Sequence, residues 1–431
     1  MQRDDLARRL AENEVVLLAA YRDVAEAIEA GVAITPTAEW LIDNYHVVEK
    51  QIRDIRFHLP SDYYRQLPKL AVGPFADLPR VFGLAWAFVA HTDSLFDPEV
   101  LRRYVRAYQE VQPLTIGELW AVAITLRVVL VENLRRLAER VVASRAARRD
   151  ADAFADRLLG VGGRTAEPVQ AALADFERAE LPSAFFVRLV QRLRDQDPSV
   201  APVLAWLDER LAAQGTTADA VVRDEHQRQV TGSLTVSNII TSMRLISDVD
   251  WTELVERISL VDDVLTAGSR FAEMDFPTRN LYRGAIEELA RGSGRTELDV
   301  AHAALLTASA AGPVDPDGID ARLADPGYYL IAGGRPGFEV TIGFRAPLRA
   351  RAGRIYRALG IGGHVSAGAI GAALLLAVPL IALARDGIDW GWLALLGALG
   401  FVPAVDLSVA LVNFVVTRGF RATFLPALAI K

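Results

Sequence analysis

The chain has 431 residues, enough for two or three domains, and 52% of them are hydrophobic, slightly more than in an ordinary globular protein. It contains no cysteine, which excludes disulfides, a thiolate nucleophile and cysteine-based zinc sites. The formal net charge of −7 argues against a nucleic-acid partner, because phosphate binding draws on an excess of clustered Lys and Arg.

The first part of the chain has a helical pattern. Its first fourteen residues, MQRDDLARRLAENE, are charged and lack the apolar core of a signal peptide. From there to about Val142, apolar residues recur at three- and four-residue steps, and Pro and Gly signals separate segments of ordinary helix length. The apolar run Val81–Ala90 is too short to span a membrane, so we expect a buried core helix. These features predict an N-terminal helical domain over residues 1–160.

The middle of the chain continues this pattern after the glycines near residue 160. We expect a second helical block over residues 161–310. Residues 311–363 are then predicted to be a connector rich in Pro and Gly, ending in a basic segment beside the membrane. Within it, Tyr328–Ile331 and Phe338–Ile342 have a strand-like composition and predict a small hairpin.

The last seventy residues are far more apolar than the rest. Val365–Ala384 has no charged residue, and Trp390–Val416 has one. Because about 20 apolar helical residues cross the hydrocarbon core of a bilayer, both segments qualify as membrane spans. We therefore predict a mainly α protein, in which cytosolic helical domains precede a transmembrane hairpin over residues 364–417 and a cytosolic tail over 418–431.

Charges around the spans predict their orientation. Arginines are concentrated at the two ends of the hairpin, whereas its tip carries one Arg and two Asp. Since basic residues favour the cytoplasmic side, both termini are expected in the cytoplasm, with the chain in the inner membrane of a bacterium and lipid as a partner. The membrane-flanking basic residues are Arg345, Arg349, Arg351, Arg354, Arg357, Arg418 and Arg421.

The segment Thr35–Pro60 offers a candidate metal or acid–base site. Thr35 is placed to cap a helix, and the apolar residues that follow it form one stripe. Glu39, Asp43 and His46 share the opposite face and could reach one ion. Lys50 lies on that face too, so the alternative is an ordinary ladder of surface charges, which we favour.

Other possible catalytic residues are equally consistent with structural roles. A pair formed by His91 and Asp93 follows a buried segment, but His is also favoured in the last turn of a helix. Two Asp-X-Asp triplets have a spacing that glycosyltransferases use to hold a metal-bound sugar nucleotide. The second has the composition of a turn, and the first precedes a helix that its Asp could cap. The triplets begin at Asp248 and Asp315. No phosphate-binding loop or hydrolase motif occurs, so the sequence predicts no catalytic, cofactor or metal site.

Asp406 is the carboxylate whose predicted environment is the least favourable for a charge. It falls near the middle of the second predicted span, where a charge costs several kcal/mol unless it is paired or protonated. Asn413 lies two turns later on the same face. We expect these two residues to form polar contacts with other membrane helices; a transport or catalytic role is the alternative.

Several long motifs, in order, resemble the N-terminal region of bacterial cyclic β-1,2-glucan synthases. They are TPTAEWLIDNYHVVEKQIRDIRFHLPSDYYRQLPKL from Thr35, PRVFGLAWAFVAHTDSLFD from Pro79, TIGELWAVAITLRVVLVENLRRLAERVV from Thr115, VSNIITSMRLIS from Val236 and MDFPTRNLYRGAIEELAR from Met274. The resemblance runs from near residue 10 to the end of the chain and includes the two spans.

The resemblance implies a place within a much larger enzyme. Members of that family carry a cytosolic helical region and two spans before a UDP-glucose-dependent transferase domain and a phosphorylase-like domain, and they make a cyclic periplasmic glucan. UDP-glucose and a divalent metal are expected for the transferase domain and not for this chain, onto which no family catalytic residue can be carried. We therefore expect a fragment or truncated product that anchors and positions the downstream domains. The alternative is a stand-alone, membrane-tethered scaffold that binds a partner protein.

Overall fold

The protein is helical throughout the part that the structure describes. A computed structural model describes residues 5–58, 61–161, 167–174, 181–194, 200–310 and 322–419. Within these ranges there is no strand, and one isolated β-bridge joins Lys69 to Pro79. The prediction of a mainly α fold that ends in an apolar two-helix hairpin is confirmed.

The chain divides into two compact units, Met1–Ser259 and Leu260–Lys431. The domain limits predicted near residues 160 and 310 stay predictions. The described helices of the first unit are α1 (Asp5–Glu29), α2 (Pro36–Asp43), α3 (Tyr45–His58), α4 (Ser61–Gln66), α5 (Arg80–His91), α6 (Pro98–Val111), α7 (Ile116–Leu159), α8 (Val169–Ala174), α9 (Ser183–Leu193), α10 (Ala201–Ala213), α11 (Ala218–Asp248) and α12 (Trp251–Ile258). Those of the second unit are α13 (Leu260–Gly268), α14 (Phe276–Ser293), α15 (Glu297–Ser309), α16 (Pro326–Ile331), α17 (Arg335–Ile342), α18 (Leu348–Arg385) and α19 (Trp390–Gly419).

Helix α7 organises the first unit. It has 44 residues, which at 1.5 Å per residue makes it about 66 Å long. Thr115 and Glu118 form a reciprocal capping box at its start, and Gly160 ends it in the left-handed conformation. Helices α1, α5, α9 and α11 pack along it. Most of its first 26 residues are buried.

The capping carboxylate of α7 also joins two helices. Glu118 is fully buried, and its two oxygens accept hydrogen bonds from Nε and Nη2 of Arg80, at 2.8 and 2.5 Å. Arg80 is the first residue of α5, the core helix predicted from its apolar run. This ion pair joins the start of α5 to the start of α7. Loss of Arg80 would leave the Glu118 charge buried and uncompensated, which is strongly destabilising.

The described part of the segment Thr35–Pro60, residues 35–58, forms two helices, so the expectation of a single helix capped by Thr35 is wrong. Asn44 lies between α2 and α3 with φ −113° and ψ 12°. Its side chain donates to the carbonyl of Trp40 at 3.0 Å and accepts from Arg244 at 2.6 Å, contacts that compete with a continuous helix. The cap by Thr35 is present, and the predicted apolar stripe is buried. The buried members of that stripe are Ala38, Leu41, Tyr45, Val48, Ile52 and Ile55.

The two strand-like pieces of the connector are helices. Tyr328–Ile331 belongs to α16 and Phe338–Ile342 to α17, so the predicted hairpin is wrong. Each helix has a proline in its first turn, where the missing N–H costs no hydrogen bond, and Asp325 caps α16. Apolar runs of four or five residues do not distinguish strand from helix by periodicity. Residues 311–321 of the predicted connector lie outside the described residues.

Candidate membrane interface

Two consecutive helices are long and apolar enough to cross a membrane. The apolar segments run from Ala358 to Arg385 in α18 and from Trp390 to Arg418 in α19. With 28 and 29 residues they extend about 42 Å, beyond the roughly 30 Å of a hydrocarbon core. Nearly all their apolar side chains outside the mutual contact are exposed, as expected of spans and not of core helices. Length, composition and exposure together identify this hairpin as the candidate membrane interface.

Small residues build the contact between the two helices. The Ser408 hydroxyl donates to the carbonyl of Gly368 at 2.8 Å, and a Cβ added to Gly371 would collide with the same hydroxyl. About two turns from Ser408 along α19, a Cβ at Gly400 would lie 3.0 Å from Leu376. Close approach of this kind gives van der Waals contact and a hydrogen bond, the interactions that hold helices together in lipid.

A glycine separates the apolar part of α18 from its basic beginning. Gly360 has φ 54° and ψ −137°, a conformation that a side chain would strain, and it interrupts the helical backbone. The segment before it, residues 348–359, contains four arginines, whereas residues 361–384 contain no Arg, Lys, Asp or Glu. The break therefore coincides with the change from basic to apolar sequence.

The flanking arginines have different environments. Arg345 and Arg351 are exposed, and Arg418 places its guanidinium 4.6 Å from the Phe414 ring centroid. Arg349 and Arg357 belong to α18, but their side chains lie outside the described residues, as does all of Arg421. The exposed guanidinium groups are free to meet the negative surface of a bilayer.

Arg354 is bound to the helices that precede the hairpin in the second unit. Its Nη1 and Nη2 donate to Glu339 of α17 at 2.5 and 2.8 Å, and Arg335 donates to the same carboxylate at 3.0 Å. Arg335 also lies 2.7 Å from Glu288 of α14. Burial acts to raise the pKa of Glu339, but the hydrogen bonds and charges of Arg354 and Arg335 outweigh it and hold the pKa below its ordinary value. This cluster ties the start of the first apolar helix to α14 and α17.

Two polar side chains lie on the outer face of the hairpin. Asp406 and Asn413 are both exposed, seven residues apart on α19, and Thr417 donates to the Asn413 carbonyl at 2.5 Å. Within the described ranges, Asp406 has no hydrogen bond or ion pair. The contact between α18 and α19 therefore does not satisfy this carboxylate.

Comparison with known proteins finds a relative of this chain. No family model matches it. It is 41% identical over 338 residues, or 78% of its length, to the cyclic beta-(1,2)-glucan synthase NdvB of Rhizobium meliloti (strain 1021). The chain is a homologue of a segment of that synthase. The resemblance inferred from the motifs is confirmed. The matched segment makes up only 12% of the synthase, so the chain corresponds to a small part of its relative.

The metal-binding hypothesis for α2 and α3 is not supported by the geometry. Glu39, Asp43 and His46 are exposed on the outer face, as predicted, together with Lys50. The part of the chain that the structure describes contains no group of three or more His, Asp or Glu side chains placed to hold a metal ion. These three residues are exposed side chains on the surface of α2 and α3.

His91 and Asp93 do not form a pair. His91 lies in the last turn of α5, with Nδ1 2.7 Å from the carbonyl of Ala87. Asp93 instead accepts from the Thr235 hydroxyl at 2.8 Å, and its backbone carbonyl accepts from Asn238 at 3.1 Å. Asp93 therefore fixes the α5–α6 loop against α11, which is a structural role.

The first Asp-X-Asp triplet is a helix junction. Asp248 ends α11, and Asp250 accepts from the backbone N–H groups of Thr252 and Glu253 at the start of α12. This confirms Asp250 as a helix cap. The second triplet, at Asp315 and Asp317, lies outside the described residues.

Sequence reasoning missed Glu339, the carboxylate that organises the membrane-proximal cluster. It was assigned to a strand, and its partners Arg335 and Arg354 lie on opposite sides of it in sequence. An i,i+4 pairing of Arg335 with Glu339 would have been a usable signal had the segment been assigned as helix.

We predict that Gly371→Leu will separate the two apolar helices, because a side chain there meets Ser408 directly. The chain has no cysteine, so one pair can be introduced at Leu380 and Gly397, which face each other across the hairpin. The yield of crosslinking by a short bifunctional thiol reagent in detergent should fall several-fold in the Gly371→Leu background.

Gly362→Leu is the matched control, since a Cβ at that position of the same helix meets nothing within 4 Å. Equal crosslinking in the two backgrounds would contradict the assigned contact.

We predict that the link between α17 and α18 weakens in acid. Because the folded pKa of Glu339 is depressed, its contribution to stability is present at neutral pH, above the unfolded pKa. It is lost as the pH falls through the folded value. Hydrogen exchange of the amides in 335–356, followed by mass spectrometry after correction for intrinsic rates, should show opening as the pH falls below about 4.5, the ordinary value of a glutamate.

Glu339→Gln should open this region at neutral pH and remove most of its dependence on pH. Glu287→Gln, in a partly exposed pair with Arg291 at the surface, is the control and should leave the profile unchanged. A wild-type profile for Glu339→Gln would exclude the proposed link.

Proposed function

We propose that this chain is the membrane-anchoring and positioning region of a cyclic β-1,2-glucan synthase. The observation that carries the proposal is the 41% identity over 338 residues to NdvB. The apolar hairpin supports it, because a polymerase whose product leaves the cytoplasm has to work beside a bilayer. In this proposal, transferase and phosphorylase-like domains follow in the same polypeptide and supply the UDP-glucose and divalent-metal sites.

The arginine distribution supports an orientation with both ends of the hairpin in the cytoplasm of a bacterium, at the inner membrane. Arg345 and Arg351 lie before the first span and Arg418 after the second, whereas the tip has Asp386 and Asp389. The Arg354–Glu339 bond then fixes the first span to the helices that precede it. The region thereby acts as a rigid connection between the membrane and the cytoplasmic domains.

Asp406 and Asn413 have a defined role in this proposal. A carboxylate that faces lipid is costly, so it acts as a contact for further membrane helices of the synthase. Their exposure on the outer face of the hairpin supports this role over a contact within the hairpin.

A chimera tests the proposal. The homologous segment of NdvB is replaced by this chain, and glucose incorporation from UDP-glucose into cyclic glucan is measured in isolated membranes. We expect the chimera to retain synthesis. Replacement of the apolar segments 358–418 by a flexible linker should remove it, because the transferase then loses its fixed position at the bilayer.

Variants of the chimera test the polar face. Asp406→Leu should lower synthesis, Asp406→Asn should retain most of it through hydrogen bonding, and Leu407→Ala, an exposed apolar neighbour, should have no effect. A chimera that is membrane-inserted and abundant yet inactive would favour the alternative, a stand-alone scaffold. Undiminished synthesis without the hairpin would refute the anchoring role.

A further inference from the structure

The first unit contains a cavity that the anchoring role does not use. Its volume is about 270 Å³, and it lies among α2, α7, α9 and α11. Its polar lining consists chiefly of Thr35, Thr37, Arg140, Ser183, Glu225 and Arg228. This volume is just below the roughly 300 Å³ at which pockets for drug-sized ligands begin, so the cavity could hold only a small molecule.

Two arginines give the cavity positive charge. Arg228 donates from Nη1 to the Ser183 hydroxyl at 3.0 Å, and Nη1 lies 3.6 Å from the Glu225 carboxylate. Arg140 is exposed, and the one hydrogen bond found for its side chain is a long one, 3.4 Å to the carbonyl of Arg136. Within the described ranges, Arg140 has no carboxylate partner.

The single carboxylate of the lining is already compensated. Glu225 is buried, accepts a hydrogen bond from Gln229 at 3.1 Å and lies 3.6 Å from Arg148, which is outside the lining. Arg148 and Arg228 together outweigh this one negative charge. Arg140 then remains as positive charge facing the cavity, so the electrostatics favour an anion and disfavour a metal cation.

The chemistry of the remaining lining narrows the class of anion. The hydroxyls of Ser183 and Thr35 accept hydrogen bonds from Arg228 and from the Ala38 N–H, so each can still donate its own proton to a ligand. The described lining contains no aromatic ring on which a sugar or base would stack. Arginine with hydroxyl donors is the combination that binds phosphate oxygens through several charge-assisted hydrogen bonds. The N-terminus of α9 adds a small attraction for an anion, because Pro182 provides no side chain to cap the free backbone N–H groups there.

We propose that this cavity binds a phosphate-bearing small molecule through Arg140 and Arg228. The proposal does not depend on the proposed function, since it rests on the charge, size and hydrogen-bonding groups of the first unit alone. A phosphate monoester or diphosphate and a phospholipid headgroup share this chemistry.

Calorimetric titration of the full chain in phosphatidylcholine nanodiscs tests the proposal, with inorganic phosphate and pyrophosphate as probes at low salt. We expect saturable binding below about 10 mM that weakens by tenfold or more in Arg140→Gln and Arg228→Gln. Arg228→Lys, which keeps the charge, should lose less. Arg223→Gln, on the exposed surface of α11 outside the lining, should bind like the wild type.

A second arm distinguishes the two sources of phosphate. If phosphatidylglycerol in the nanodisc competes with pyrophosphate in an Arg140- and Arg228-dependent manner, the ligand is a headgroup; if it does not, the ligand is soluble. Circular dichroism confirms that the variants are folded. No saturable binding to the wild type, or equal loss in Arg223→Gln, would overturn the proposal.

Discussion

The apolar surface of the α18–α19 hairpin is the constraint on which the second unit depends. Two helices of 28 and 29 apolar-rich residues contact each other along one narrow face and expose the rest. Exposure of this apolar surface to water would be strongly unfavourable, whereas its exposure to the hydrocarbon core of a bilayer is not. The helices that precede the hairpin are therefore held near a membrane wherever the hairpin is inserted.

Two local features connect the hairpin to the helices that precede it. Gly360 allows the backbone to leave the helical conformation where the basic sequence ends. The Arg354–Glu339 bond, strengthened by Arg335, then joins the basic segment to α17. The Arg345 N–H, which donates to the carbonyl of Gly292 at 2.9 Å, adds a second contact between this junction and α14.

Much of this organisation could be predicted from the sequence, and particular residues show why. The two candidate spans are long and contain a single charged residue between them, Asp406, apart from the arginines at their ends, so length and composition indicate them. Thr35, Asp250 and the stripe around Val48 follow local rules of capping and periodicity, and the structure has them as expected. These features depend on neighbours within a few residues.

Two features that could not be predicted depend on contacts between residues that are distant in the sequence. Asn44 breaks the helix after Thr35 because Arg244, 200 residues later, holds its side chain. The strand prediction for Tyr328–Ile331 and Phe338–Ile342 is a miss of another kind: short apolar runs carry no period, although the Asp325 cap and the i,i+4 pair of Arg335 with Glu339 are local signals for helix. The cavity near Arg140 joins four helices from distant parts of the first unit, which no local pattern reveals.

The most direct test of the anchoring account is a map of the hairpin's topology. The chain has no cysteine, so Asp386→Cys at the tip and Arg345→Cys before the first span each carry a single thiol. Spheroplasts of cells that express either variant are treated with a membrane-impermeant maleimide. The account predicts that the thiol of the Asp386→Cys variant is labelled in intact spheroplasts and that of the Arg345→Cys variant only after lysis. Labelling of both before lysis, or of the Arg345→Cys variant alone, would contradict a hairpin that spans the membrane with its ends in the cytoplasm.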